Sequence, residues 1–132
     1  MIAQPLAGRS LGDPDGSFVV AEWTEPPAPP GERRLVAPLH VHHDEDELWY
    51  VLEGALRFRI SDEEIEARAG DAVFAPRGLP HTFWNVASEP ARYLVIMTPN
   101  TFSLIEEIHA MRDRGAEAMR ELFRRHGCEL LS

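Results

Sequence analysis

Two histidines one residue apart, His40 and His42, constrain this chain more than any other feature. They sit in the run Pro38-Leu39-His40-Val41-His42-His43-Asp44-Glu45-Asp46-Glu47. Side chains of an extended strand alternate between its faces, so the two imidazoles share one side. Glu47 lies beyond an acidic turn and opens the strand-like run 48–53, which ends at Gly54. His40, His42 and Glu47 can therefore converge on one point inside a sheet. His81 opens another strand after the turn Pro76-Arg77-Gly78-Leu79-Pro80. Entering beside the first run, it would supply a third imidazole, and three neutral nitrogens with one carboxylate make a metal site.

The rest of the chain reads as the frame for such a site. Residues 1–17 are punctuated by Pro5, Gly8, Gly12, Pro14 and Gly16 and are expected to form an arm. Residues 18–24, 35–37, 48–53, 55–60, 65–69, 72–75, 81–86 and 92–98 carry strand signals separated by short turns. Strict alternation of Leu56, Phe58 and Ile60 with Arg57 and Arg59 predicts a sheet with one buried face. Many short strands with regular turns predict an all-β sandwich or barrel over residues 18–98. Beyond Pro99 the period changes: Phe102, Ile105, Ile108 and Met111 recur every third residue, and Met119, Leu122 and Phe123 continue after Gly115. Residues 99–132 are thus expected to be a helical extension packed outside the sheet, stopped at Gly127 behind Arg124, Arg125 and His126.

Composition narrows the function classes. A chain of 132 residues supports a single core, and a net charge of −9 argues against a nucleic-acid partner. All 13 basic residues are arginine, and nothing in the physical chemistry explains that. Cys128 is the single cysteine, so an intrachain disulfide is excluded and a reducing compartment fits. Neither a signal-peptide core nor a membrane span is present, and a cytoplasmic location is expected.

The two histidine motifs carry a resemblance. His40, His42, Glu47 and Gly54 fit the first motif of the cupin family in every spacing from the first histidine onward. Gly70, Pro76, Gly78, His81 and Asn85 fit the second without deviation. The departure is Arg34, where the first motif has a turn glycine that binds nothing. The resemblance implies a double-stranded β-helix, or jelly-roll barrel, with a metal inside. It assigns His40, His42, Glu47 and His81 as ligands of one divalent transition metal: iron, manganese, nickel, cobalt, copper or zinc. The set is similar to that of quercetinase-like cupin dioxygenases. That likeness implies a small phenolic or enolic ring substrate bound through oxygen, with Glu47 doubling as general base. A metal-assisted isomerase, cyclase or decarboxylase, and a binding protein without turnover, are the alternatives.

Strand parity predicts the pocket wall. Trp49 and Val51 follow Glu47 inward and Phe83 follows His81, with Met97 and Phe58 or Phe74 closing the space. A filled barrel core is the competing reading for each of these. His43 has the opposite parity and is expected to face solvent or the surroundings of the site. Asp44, Glu45 and Asp46 read as a solvated turn or as groups tuning metal access, and Asn85 as a hydrogen-bonding brace of the barrel. His109 and His126 read as surface residues. The arm and the apolar helices offer surfaces to a second copy, so a homodimer acting on a small molecule is expected.

Overall fold

The computed structural model describes residues 5–131; residues 1–4 of the expected arm and residue 132 of the expected tail lie outside the described residues. In chain order the elements are β1 (Ser10–Gly12), β2 (Val19–Glu25), β3 (Leu35–His42), β4 (Glu47–Glu53), β5 (Ala55–Ile60) and β6 (Glu63–Arg68). There follow β7 (Ala72–Ala75), β8 (His81–Asn85), β9 (Ala91–Met97), the helices α1 (Pro99–Ala110) and α2 (Ala116–Arg125), and β10 (Cys128–Leu130). Two five-stranded antiparallel sheets, β1-β2-β9-β4-β7 and β10-β3-β8-β5-β6, face each other. This is the expected double-stranded β-helix.

Alternation builds the interior. On β5, Leu56 and Phe58 are buried, while Arg57 points outward to Glu64 and Glu66 of β6. Trp49 of β4 crosses between the sheets to meet Phe58 and Phe83 at ring-centroid distances of 5.2 and 5.5 Å. Burying each such ring contributes about 2–3 kcal/mol. The β4–β5 corner needs a glycine. Gly54 has φ +80°, and a Cβ there would come within 2.7 Å of the Pro90 carbonyl oxygen.

Two strands escaped the sequence reading. Within the expected arm, β1 pairs with β2, Ser10 opposite Ala21. The tail is not helical to its end, because β10 pairs with β3 and sets Cys128 opposite His42 and Leu130 opposite His40. Three-residue strands carry no periodicity, and their partners are distant in sequence. The two helices do lie outside the barrel, where they cover the space between the sheets on the side of the histidines.

Candidate metal centre

Strand β3 is irregular where it enters the site. Its register against β8 shifts on both sides of Ala37, and Pro38, with no N–H to give to the ladder, sits at the second shift. The freed Pro38 carbonyl accepts from His40 Nδ1 at 2.6 Å. Past the bulge the ladder resumes with His40 directly opposite His81 of β8. Glu47, the first residue of β4, reaches in from the other sheet. The four side chains are buried, and their ligand atoms all lie within 4.8 Å of one another.

The inner atoms face each other closely. His40 Nε2 is 3.1 Å from His42 Nε2, and Glu47 Oε1 is 3.2 Å from His42 Nε2 and 3.5 Å from His81 Nε2. Donors bonded at about 2.0–2.2 Å to one ion stand roughly 3 Å apart, so this spacing suits a transition metal. Among the described residues, Glu47 Oε1, His81 Nε2 and the neighbouring Trp49 Nε1 are buried without a hydrogen-bond partner, the first two facing each other. Orphaned buried polar atoms are costly, and a cation between them would satisfy both. The donor set therefore fits a metal. Nitrogen and carboxylate donors suit all six of the expected metals.

Each ring has its outer nitrogen occupied. Besides the Pro38 contact, His81 Nδ1 donates to the Leu79 carbonyl at 3.1 Å. His42 Nδ1 lies 3.0 Å from Cys128 Sγ and 3.5 Å from Thr101 Oγ1. A proton held on Nδ1 leaves Nε2 as the lone-pair donor toward the centre. Burial first, then the charges of His81 and His42, lower the His40 imidazole to about 3, so it stays neutral. Burial alone would raise the Glu47 carboxyl, but the closeness of the His42 and His81 rings outweighs it and holds it at about 2. Burial, reinforced by the nearby charges of Glu45 and Glu47, pushes the Cys128 thiol up to about 12. Unlike the four inner residues, Thr101 and Cys128 had no sequence signal. Each is placed beside His42 only by the tail folding back.

A cavity of about 380 Å³ opens from the centre, with Trp49 and Phe83 on its wall. Val51, Phe58 and Met97 also point inward but are packed into the core, while the cavity wall is completed by Trp23, Tyr93 and Val95. Phe74 faces outward and is 52% exposed. Leu104, Ile105, Ile108, Met119 and Phe123 of the helices close the other side. Phe123 meets the His40 ring edge-on at 5.5 Å.

The flanking groups divide by parity. His43 is exposed and approaches Glu129, and Asp46 pairs with Arg77 at 3.1 Å. Glu45 instead accepts from Thr98 Oγ1 and Asn100 Nδ2, tying the acidic turn to the start of α1. Asn85 Nδ2 donates to the carbonyls of Glu25 and Glu89, bracing the loop after β8. His109 is exposed but sits at the cavity rim, edge-on to Trp23, and His126 bonds to Asn100 and Glu107.

The family model of the cupin domain matches residues 29–97, which hold all four inward-facing ligand side chains. This chain belongs to the cupin family. An uncharacterized protein of Methanocaldococcus jannaschii is 31% identical over 71 residues, covering 54% of this cupin and 54% of that protein. The tetracenomycin polyketide synthase protein TcmJ of Streptomyces glaucescens is 33% identical over 60 residues, 46% of this chain and 40% of that one. A crystal structure named as a sugar phosphate isomerase, from Silicibacter pomeroyi, superposes with TM-score 0.54 at 29% identity, covering 63% of this cupin and 51% of that chain. The chain spans about half the length of the curated relatives it matches, or less. Among the described residues no helix is long and apolar enough to cross a membrane.

Proposed function

We propose that this cupin is a metal-dependent dioxygenase acting on a small phenolic or enolic ring compound. The observation that carries the reading is a centre of three histidines and one glutamate at the end of a cavity walled by Trp23, Trp49, Phe83 and Tyr93. A bound divalent metal supplies the Lewis acidity that lowers the pKa of a substrate hydroxyl. The protein supplies the rest. His40, His42 and His81 turn their Nε2 atoms toward the centre, and the aromatic walls orient a flat substrate and exclude water. Glu47 is ionised and lines the cavity, which puts a carboxylate within reach of the substrate's hydroxyl proton. Dioxygen is the oxidant and the ring compound is what it oxidises.

A second reading, non-redox isomerisation, cyclisation or decarboxylation of an enolisable compound, is favoured by the names of the polyketide synthase protein and the isomerase among the relatives. A phosphorylated substrate fits poorly, since no arginine lines the cavity and the chain has no lysine. Elemental analysis followed by an oxygen-electrode screen of phenolic and enolic compounds separates the readings. Substrate-dependent oxygen uptake that stops on metal removal is expected. Turnover undiminished without air would move the assignment to the non-redox reading, and saturable binding with no turnover would make the protein a binder.

A further inference from the structure

The stripe that makes α1 amphipathic is turned toward the cavity. Thr101, Leu104, Ile105 and Ile108 follow the spacing of one helix face, and all four line the cavity beside the metal centre. Met119 and Phe123, one turn apart on α2, complete that wall. A helix face serving stability alone would close onto the barrel, because unfilled apolar space costs stability. Here the face stands off and leaves room for an occupant.

Its position is fixed from the metal side. Glu45, two residues before the ligand Glu47, accepts from Thr98 and Asn100 at the first turn of α1. Thr98 also caps the helix, its hydroxyl accepting from Thr101 N at 3.1 Å. Asn100 Nδ2 reaches the His126 carbonyl at the end of α2 as well. The family match runs from residue 29 to 97, so it holds the metal ligands and leaves the helical wall outside it. Beside the polar centre of His40, His42 and Glu47, Ile105, Ile108 and Met119 give the helical wall hydrocarbon and thioether, while Thr24, Glu25 and His109 add polar groups to the lining.

We infer that the α1–α2 pair is the specificity wall of the pocket, with Ile108 and Met119 reading the apolar body of a ligand whose oxygen-bearing head is held at the metal centre. The inference rests on the metal-centre reading above. Both residues line the cavity half-buried and also pack on the Leu104, Leu122, Phe123 and Cys128 cluster, so a thermal melt of each variant checks its fold.

The test uses the full chain loaded with cobalt and two probes sharing one 3-hydroxy-4-one chelating head: maltol, with almost no apolar body, and 3-hydroxyflavone, with a phenyl and a fused ring. The unmodified protein should bind 3-hydroxyflavone at least about ten-fold more tightly than maltol. Met119→Trp and Ile108→Trp should each weaken the flavone by about ten-fold or more and leave maltol within about two-fold. Ile108→Ala, which adds no bulk and keeps the fold, should likewise change the flavone affinity alone. Equal losses of both probes, or no change in either, across the three variants would overturn the specificity wall. Cobalt content and its dependence on His81 are measured alongside. If the protein holds no cobalt, or if removing it leaves both affinities unchanged, the metal-centre reading fails instead.

Discussion

The three ligand histidines differ in what holds their outer nitrogens. His40 and His81 are held by the backbone carbonyls of Pro38 and Leu79, which no side-chain substitution removes. His42 is held by side chains from the tail, Cys128 and Thr101. Loss of an outer partner typically costs a metal site about 10–100-fold in affinity. Cys128→Val should therefore weaken metal binding by about ten-fold in a competition titration with a chromophoric chelator, while Cys128→Ser keeps an acceptor and recovers most of it. Equal affinities in all three proteins would show that the thiol does not orient His42. Replacing His40 or His81 with alanine should abolish most bound metal by elemental analysis. The depressed His40 pKa also makes a statement about the metal-free protein. Between about pH 6.5 and 3 the unfolded chain binds a proton at His40 that the folded chain refuses, so stability must fall as pH falls through that window. Glu47, depressed to about 2, works in the same direction: its contribution is full above about 4.5 and is lost as pH drops toward 2. Thermal melts of chelator-treated protein should move to lower temperature from pH 7 to pH 4, and a flat profile would contradict the buried, neutral His40.

At the scale of elements, the helical pair is joined to the barrel by three kinds of contact. Leu104, Leu122, Phe123 and Cys128 form a small apolar cluster under the helices. Strand β10 adds a ladder to β3. Glu45 supplies the clasp at the start of α1. Glu45→Ala leaves the Thr98 hydroxyl without its acceptor and Asn100 with only the His126 carbonyl, and should cost about 1–3 kcal/mol, read by denaturant unfolding. Asp46→Ala, which removes exposed contacts to the Arg77 guanidinium and backbone N–H on the same turn, should shift the unfolding midpoint less. If the two substitutions prove equal, Glu45 is merely a solvated turn residue, as its neighbours are.

Across the whole molecule, the outer face of the first sheet bears an unbroken apolar row. Leu11, Val20, Ile96, Leu48 and Phe74 are cross-strand neighbours over five strands, from one edge to the other. Beside it runs a second row with Leu94 and Tyr50. The acid on that second row, Glu22, is buried and paired with Arg92. We propose that the expected homodimer forms here, because two copies related by a two-fold axis set apolar row on apolar row with no unpaired charge between them. Light scattering should give twice the chain mass of 14.9 kDa. Phe74→Glu should give the single chain mass with metal content retained, and a dimer that survives this change would place the interface elsewhere.

The sequence by itself determined most of the barrel's strands and, through its resemblance to the two cupin motifs, the four residues at the centre. Those depend on local spacing: a period of two along strands, and glycines such as Gly54 where the backbone must turn with positive φ. The periodicity of α1 was equally legible, yet it could not say what its apolar face looks onto. Only the tertiary structure decided that the face walls a cavity rather than packing shut. It also placed Cys128 and Thr101 behind His42, separated Trp49 and Phe83 in the pocket from Val51, Phe58 and Met97 in the core, and gave Glu45 a partner. Parity tells which side of a strand a residue occupies, but not how far into the barrel it lies. Contacts between distant segments depend on how the tail folds back, and a one-dimensional pattern carries no record of that.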